Sequence, residues 1–529
     1  MKSLRSGFML CLSALITVGI YPVSQVSAST KTVTDPVRID SPASFSIMGK
    51  GGNGNEETPG TWYLGATPAD LQPDAPVLLF VPGLNNVAQI FWEDNDMYQT
   101  AYHAGYQTAF VQLYDAGGES ADMWNNGRLL AEKITEISNH FGGKDITIVA
   151  YSKGGVDSQA ALTYYGASDY VDNVITLSSP HHGSQLADLA YSSDAGWLAD
   201  LIGMQGEGTY SMQMAYMENF RSETDTNPNA YVNDYFTLGG TDWGAVFSSN
   251  WFGGMYLSSY GPNDGVVTAR SSNLPGGYEL AIREWNHATI RTGITFPTFQ
   301  DYLEGDQLPP ASDFSTQTSE SESFPPKANQ WVHGAPLAKK DVITVNVEED
   351  VEKLTINLLT AKQLSKLKVT NPSGKNAKTN VQQIHLEEGI FKDAVSSALT
   401  IENPEAGEWQ LELRTNTDDN AYLLVADLKK EPYMQAELIK NFTMQDDLYQ
   451  LNIDTKHLIE DSLSATYHLT ESAKPNNEKK WTVKGKSNLS QQLKLDKANT
   501  VYNITVDIEG ITNDGHTFKR TIVDSVYGK

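Results

Sequence analysis

An α/β domain with a mainly parallel sheet, followed by two all-β, sandwich-like domains, is the architecture the sequence predicts. Three observations carry it. Apolar strand-like runs alternate with helix-like segments and Gly-rich turns from about Phe45 to Leu303. Pro, Ser, Thr, Gln and Glu dominate between Gly305 and Leu337, and from there to the end apolar residues recur with a period of two. The 529 residues leave room for that many folding units, and with 40% hydrophobic residues most of the chain can bury a core. A formal charge of −27 repels phosphate backbones and excludes nucleic acid as an expected partner.

Each segment has its own justification. In residues 1–28, Lys2 and Arg5 precede an apolar run of 13 positions, Phe8 to Ile20, and Val26-Ser27-Ala28 places small residues where a signal peptidase cuts. These residues read as a signal peptide and the chain as secreted. The run is short for the ~30 Å of a bilayer core. Its removal takes the formal charge from −27 to −29 and discards Cys11, the single cysteine, so no disulfide framework, Cys-based zinc site or redox motif is expected. Residues 45–304 form the α/β domain. Val77 to Val81 is a continuous apolar run of the kind that parallel strands buried on both faces require, and Asp145 to Val149 reads as another such strand. Residues 305–337 read as a linker that few contacts should cross. In residues 338–432, Ile343, Val345 and Val347, then Leu354, Ile356 and Leu358, then Trp409, Leu411 and Leu413 alternate as in a β-sandwich. Residues 433–529 repeat the pattern with Leu463, Ala465, Tyr467 and Leu469, and with Tyr502, Ile504, Val506 and Ile508. Neither β domain clusters His, Asp or Glu at a ligand spacing.

The chemistry lies in the first domain. The strand ending at Val149 runs into Ala150-Tyr151-Ser152-Lys153-Gly154-Gly155 and then a helical stretch, Val156 to Tyr165. Strand, serine-centred turn and helix together make the context of a nucleophile elbow. A serine strained between strand and helix needs small neighbours two positions away, and Ala150 and Gly154 comply. The helix start also brings backbone N–H groups to where an oxyanion would form. Of the ten histidines, His287 in Glu284-Trp285-Asn286-His287 is the best base, while His181 and His182 stay open. Asp264, in Asn263-Asp264-Gly265, is the favoured acid, with Asp242 the alternative. The order Ser, Asp, His is the one expected for an elbow serine.

Together, Val81-Pro82-Gly83-Leu84, the Ser152 turn, Leu177 to Ser184, Asn263 to Val267 and Trp285-Asn286-His287 resemble secreted bacterial lipases of the α/β-hydrolase superfamily, over about half the chain. The resemblance implies an α/β-hydrolase domain with Ser152 as nucleophile, His287 as general base and acid, and Asp264 as the carboxylate that orients it. It also implies the backbone N–H groups of Leu84 and Lys153 as the oxyanion hole. Pro82 stands where such lipases usually have a histidine, and Ala150 where they have a glycine. Calcium-binding relatives carry an aspartate two positions after the histidine; here that position is Thr289, so calcium at that site is doubtful. No organic cofactor and no metal ligand set is expected.

The expected function is hydrolysis of carboxylic esters through an acyl-enzyme, by a lipase or esterase acting on an ester or lipid substrate, with a lipid–water interface or insoluble surface as partner. Depolymerisation of an aliphatic polyester is the runner-up. A surface-binding protein with a retained hydrolase scaffold is the alternative of another class. The Lys153 side chain is expected to be solvated. The stretch from Asp188 to Arg221, with its apolar helical patterns, reads equally as a lid or as sheet-covering helices.

Overall fold

The continuous apolar runs become the centre of one twisted sheet. The structure, a computed structural model, describes residues 33–39, 57–118, 120–305, 307–309 and 329–528 apart from 378–380, 431–435, 443–446, 454, 475–476, 486–488 and 490. The segment read as a signal peptide and most of the linker lie outside the described residues. Strands β1 (Val37–Ile39), β2 (Trp62–Leu64), β3 (Val77–Val81), β4 (Thr108–Val111), β5 (Ile146–Tyr151), β6 (Val171–Leu177), β7 (Asp234–Gly240) and β8 (Tyr278–Arg283) lie in the order β1-β2-β4-β3-β5-β6-β7-β8. Pairing is parallel from β4 through β8, and antiparallel only where β1 and β2 join the edge. All residues of β3 and β5 are buried, which is why their sequences show no polar face.

The helices are α1 (Met97–His103), α2 (Met123–His140), α3 (Lys153–Tyr164), α4 (Gln185–Ala190), α5 (Gly196–Leu201), α6 (Glu207–Ser211), α7 (Met214–Thr224), α8 (Ser249–Leu257) and the single turn α9 (Phe296–Phe299). Asp122 caps α2 by accepting the Asn125 N–H, and the helix turns Leu130, Ile134 and Ile137 onto the sheet at a spacing of three and four. The stretch read as lid or covering helices resolves into α4 to α7. Met212, Met217 and Phe220 pack with Met123, Val156 and Ala160, so α7 covers the sheet helices. Among the described residues no helix is long and apolar enough to cross a membrane.

Beyond the linker come β9 (Gln330–Leu337), β10 (Lys340–Val347), β11 (Lys353–Thr360), β12 (Lys366–Thr370), β13 (Ile384–His385), β14 (Val395–Glu402), β15 (Gly407–Arg414) and β16 (Asn420–Lys429). They form a three-stranded sheet, β10-β15-β12, and a five-stranded one, β13-β14-β11-β16-β9, around a core that includes Val345, Leu354, Trp409 and Leu424. Strand β9 lies in the stretch whose composition reads as linker. Pro336 is tolerated there because β9 is the sheet edge. The last unit contains β17 (Ala436–Phe442), β18 (Asp447–Ile453), β19 (Ser464–Glu471), β20 (Glu478–Lys484), β21 (Gln491–Gln492), β22 (Thr500–Ile511) and β23 (Thr517–Gly528), in sheets β17-β18-β21 and β20-β19-β22-β23.

Contrary to the expectation that few contacts cross the linker, the β units are packed onto the α/β domain. Leu186, Leu189, Leu198, Ile202, Phe252 and Met255 share one apolar cluster with Val332, Phe391, Leu423 and Val425 of the first β unit and Val523 of the second. The Phe252 and Phe391 rings meet edge to face at 4.8 Å. Buried hydrogen bonds also cross the contact: Asn503 Nδ2 donates to the Asp188 carbonyl at 2.8 Å, Gln330 Nε2 to the Met255 carbonyl at 2.7 Å, and the Ala215 N–H to Ser525 Oγ at 3.0 Å. Each such Leu or Phe contributes roughly 1.5–3 kcal/mol relative to exposure, which a tethered but separate module would forgo. The two β units are in turn joined by the buried Arg520–Glu348 ion pair.

The second β unit carries a titrating centre. His468 on β19 faces Glu478 at 2.5 Å and Asp507 at 3.3 Å. Burial alone would lower its pKa, but the hydrogen bonds and charges of Asp507 and Glu478 outweigh burial and raise it above 6.5. A raised folded value means the stabilisation is complete below the unfolded pKa near 6.5 and is lost as pH rises through the folded one. Thermal melts should therefore show the β part weakening from pH 6 to pH 9, and His468→Gln should flatten that slope; an unchanged slope counts against the assignment.

Candidate active site

Strand β5 delivers Ser152 into a conformation few residues adopt: its φ is 54° and its ψ −134°, at the N-cap of α3. Such strain persists only where the surroundings fix it. Two glycines allow the close packing. A Cβ on Gly154 would lie 2.4 Å from the Pro82 carbonyl oxygen, and one on Gly83 would lie 2.6 Å from Ser152 Cβ. The loop after β3 is thereby pressed against the serine.

His287, on the loop after β8, places Nε2 3.0 Å from Ser152 Oγ. Its Nδ1 lies 2.6 Å from Asp264 Oδ2. Asp264 cannot swing away, because its Oδ1 accepts the N–H groups of Val266 at 2.9 Å and Val267 at 2.7 Å. Its carbonyl also accepts the His287 N–H at 2.9 Å, so the two loops are tied by backbone as well as side chain. Asp264 is fully buried, and Ser152 and His287 are nearly so, at 8% and 5% exposure. A buried serine, imidazole and carboxylate in line can move a proton from the hydroxyl to the imidazole while the carboxylate holds the ring.

The alternatives lie elsewhere. His181 is buried beside Thr176 Oγ1 at 3.3 Å, and burial, with Arg221 and His182, holds its pKa well below 6.5. Burial likewise pushes His182 down to about 4. Asp242 is exposed, its N–H donating to the Trp285 carbonyl at 3.1 Å.

Leu84 follows Gly83 on the oxyanion-side loop and is half-buried. Helix α6 stands over it: a Cβ on Gly208 would lie 2.5 Å from Leu84 Cδ1. Lys153 opens α3, where the first N–H groups have no intrahelical partner. Its side chain corrects the expectation of a solvated ammonium. The side chain is 1% exposed, and Nζ donates to Asp157 at 2.8 and 2.9 Å, with Asp115 3.6 Å away. Burial alone would lower the Lys153 pKa, but the two carboxylates raise it. Asp157, buried and beside Asp115, is pushed up to about 7.

Two further neighbours are not marked as site residues in the sequence. The Tyr151 ring lies 4.9 Å from the His287 ring, and burial pushes its phenol up to about 12, so it stays neutral under the imidazole. The Arg291 guanidinium lies over the same Tyr151 ring, 5.3 Å from its centroid. Asp115 and Asn126 complete the group around Lys153. The only sequence signal for that group is the Lys153–Asp157 spacing of one helical turn. Among the described residues, no group of three or more His, Cys, Asp or Glu gathers as a metal site.

No family model matches the chain. The crystal structure of Bacillus licheniformis lipase BlEst2 in propeptide form is 31% identical, with a TM-score of 0.74, and the match covers 89% of this chain and 98% of that one. The mature form of the same lipase is 44% identical over 47% of this chain and 100% of that one, with a TM-score of 0.45. Triacylglycerol lipase 2 of Saccharomyces cerevisiae is 26% identical over 167 residues, 30% of this chain. The chain spans about half the length of that curated relative, 50%.

Proposed function

We propose, from the fact that the chain belongs to the bacterial lipases of the α/β-hydrolase superfamily, that it is a secreted carboxylic ester hydrolase working through an acyl-enzyme on Ser152. The observation that carries this is the line Ser152 Oγ, His287, Asp264, at 3.0 and 2.6 Å. His287 Nε2 takes the hydroxyl proton as Oγ attacks the ester carbonyl. The N–H groups of Leu84 and Lys153 hold the resulting oxyanion, which electrostatic preorganisation makes the largest single contribution to rate. His287 then gives its proton to the departing alcohol. Water repeats the cycle on the acyl group and releases the acid. Asp264 keeps the imidazole in the tautomer with its proton on Nδ1 and stabilises the imidazolium. No cofactor enters these steps. Export is supported by the pattern of residues 1–28.

The β units act as a cover for the apolar face formed by α4, α5 and α8. What supports this is the shared cluster from Leu186 to Val523, together with the likeness to a lipase whose solved form spanning both parts is described as a propeptide form. Removing the cover would expose a surface suited to a lipid–water interface.

The test is a panel of p-nitrophenyl esters of increasing acyl length, an emulsified triglyceride and a polyester film, each before and after protease cleavage within residues 306–328. Soluble esters should be hydrolysed in both forms, and release of the β part should raise activity on the emulsion relative to the soluble ester. Hydrolysis of the film in preference to both would select the polyester reading. Inactivity on every ester would overturn the assignment in favour of a binding protein on a hydrolase scaffold.

A further inference from the structure

The two backbone donors assigned to the oxyanion come from segments far apart in the chain, Leu84 after β3 and Lys153 at the start of α3, so something must hold their separation. Asp115, on the turn after β4, touches both segments. Its Oδ1 accepts the N–H of Asn85, the residue after Leu84, at 3.1 Å, and its Oδ2 lies 3.6 Å from Lys153 Nζ. Asn126 of α2 donates to Asp115 Oδ2 and, at 3.1 Å, to Asp157 Oδ2, while its own Oδ1 accepts the Tyr114 N–H at 3.1 Å. Asn85 sits in the left-handed region, with φ 54°, a conformation that a held N–H helps to fix.

Burial decides what this cluster is for. Asp115, Asn126, Lys153 and Asp157 are all buried. Two carboxylates and one ammonium withdrawn from water are a poor source of stability compared with apolar packing, and such groups are best understood as fixing one geometry. The Lys153 charge is not aimed at the substrate, since Asp157 engages it twice. What reaches the reaction is the backbone that Asp115 holds.

We propose that Asp115, clamped by Lys153 and Asn126, is a positioning residue that locks the Leu84–Asn85 backbone to the first turn of α3 and so sets the spacing of the oxyanion donors. The inference rests on the functional reading above.

The experiment compares Asp115→Ala with Asp157→Ala in the full chain. Each leaves one carboxylate for the Lys153 ammonium, so the two carry similar structural costs, but only the first frees the loop. Rates are measured on a p-nitrophenyl ester and on its thiono analogue, whose sulfur is a poorer acceptor and therefore reports on the donors. Loss of an oxyanion donor typically costs about 10²–10³ in kcat, so a donor that is displaced rather than removed should cost ~10–100-fold. Asp115→Ala should show that loss with KM within about threefold, and its preference for the oxo ester should shrink. Asp157→Ala should lose less kcat and keep most of the preference. Should Asp115→Ala fail to fold, Asp115→Leu fills the space but accepts nothing from the Asn85 N–H, and it carries the same readout. Wild-type kcat and preference in the Asp115 variant, or equal losses in both variants, would overturn the proposal. Activity in Ser152→Ala would instead overturn the functional reading, which the oxo-to-thiono comparison does not address.

Discussion

Ser152→Ala should lose ester hydrolysis by about 10⁴–10⁶-fold while melting within about 2 °C of the wild type, since members of one catalytic unit each cost nearly the whole rate. The fold should tolerate the change because alanine keeps the Cβ that Gly83 packs against, and no hydrogen bond that closes α3 is lost. An organophosphonate should add its mass to the Ser152 peptide of the wild type and to no other. His287→Ala should abolish that labelling as well, because the hydroxyl 3.0 Å from Nε2 then has no base. His181→Ala and His182→Ala should leave most of kcat, since burial holds both rings neutral and His181 meets Thr176 rather than Ser152. Retention of more than about a thousandth of the rate in Ser152→Ala, or labelling elsewhere, would remove Ser152 from the nucleophile's role.

Where the sequence was legible, the reason is local. The α/β fold with appended β units could be read because β3 and β5 are buried on both faces and therefore almost wholly apolar, whereas strands such as β10 and β15 bury one face and alternate. The serine turn was legible because strand, small residues and helix adjoin within one stretch of chain. His287 and Asp264 were chosen by order and turn context, and the structure brings them to Ser152 rather than His181, His182 or Asp242. Features that depend on distant partners were not legible. Lys153 reads as a surface lysine until Asp115 and Asn126, from two other elements, close over it. Leu186, Leu198 and Phe252 carry no mark that their partners are Phe391 and Leu423 of the β region, so the stretch from Asp188 to Arg221 reads equally as a lid or as sheet-covering helices. Pro336 disguised β9, because a proline is excluded from central strands but not from the edge strand it occupies.

The position of Asp264 makes the sharpest forecast for the acid. In Asp264→Asn the side chain would be oriented by the loop itself. The N–H groups of Val266 and Val267, now 2.9 and 2.7 Å from Oδ1, require an oxygen at that position. The amide nitrogen must then face His287 Nδ1, across the 2.6 Å now spanned by a carboxylate oxygen. A donor there forces the imidazole to carry its proton on Nε2, where it faces Ser152 Oγ as a donor and cannot accept the hydroxyl proton. The imidazolium formed during attack would also lose its counter-charge. Wrong tautomer and lost charge together cost about 10⁴ in kcat in triads of this kind, and a loss of ~10³–10⁴ is expected here with KM nearly unchanged. Asp242→Asn, at an exposed side chain whose backbone alone is engaged, should change kcat by less than about twofold, within the range of neutral surface substitutions. Measuring the two variants side by side on one soluble ester decides the assignment: the reverse ranking would transfer the acid to Asp242, and equal small effects would leave His287 to act without a carboxylate.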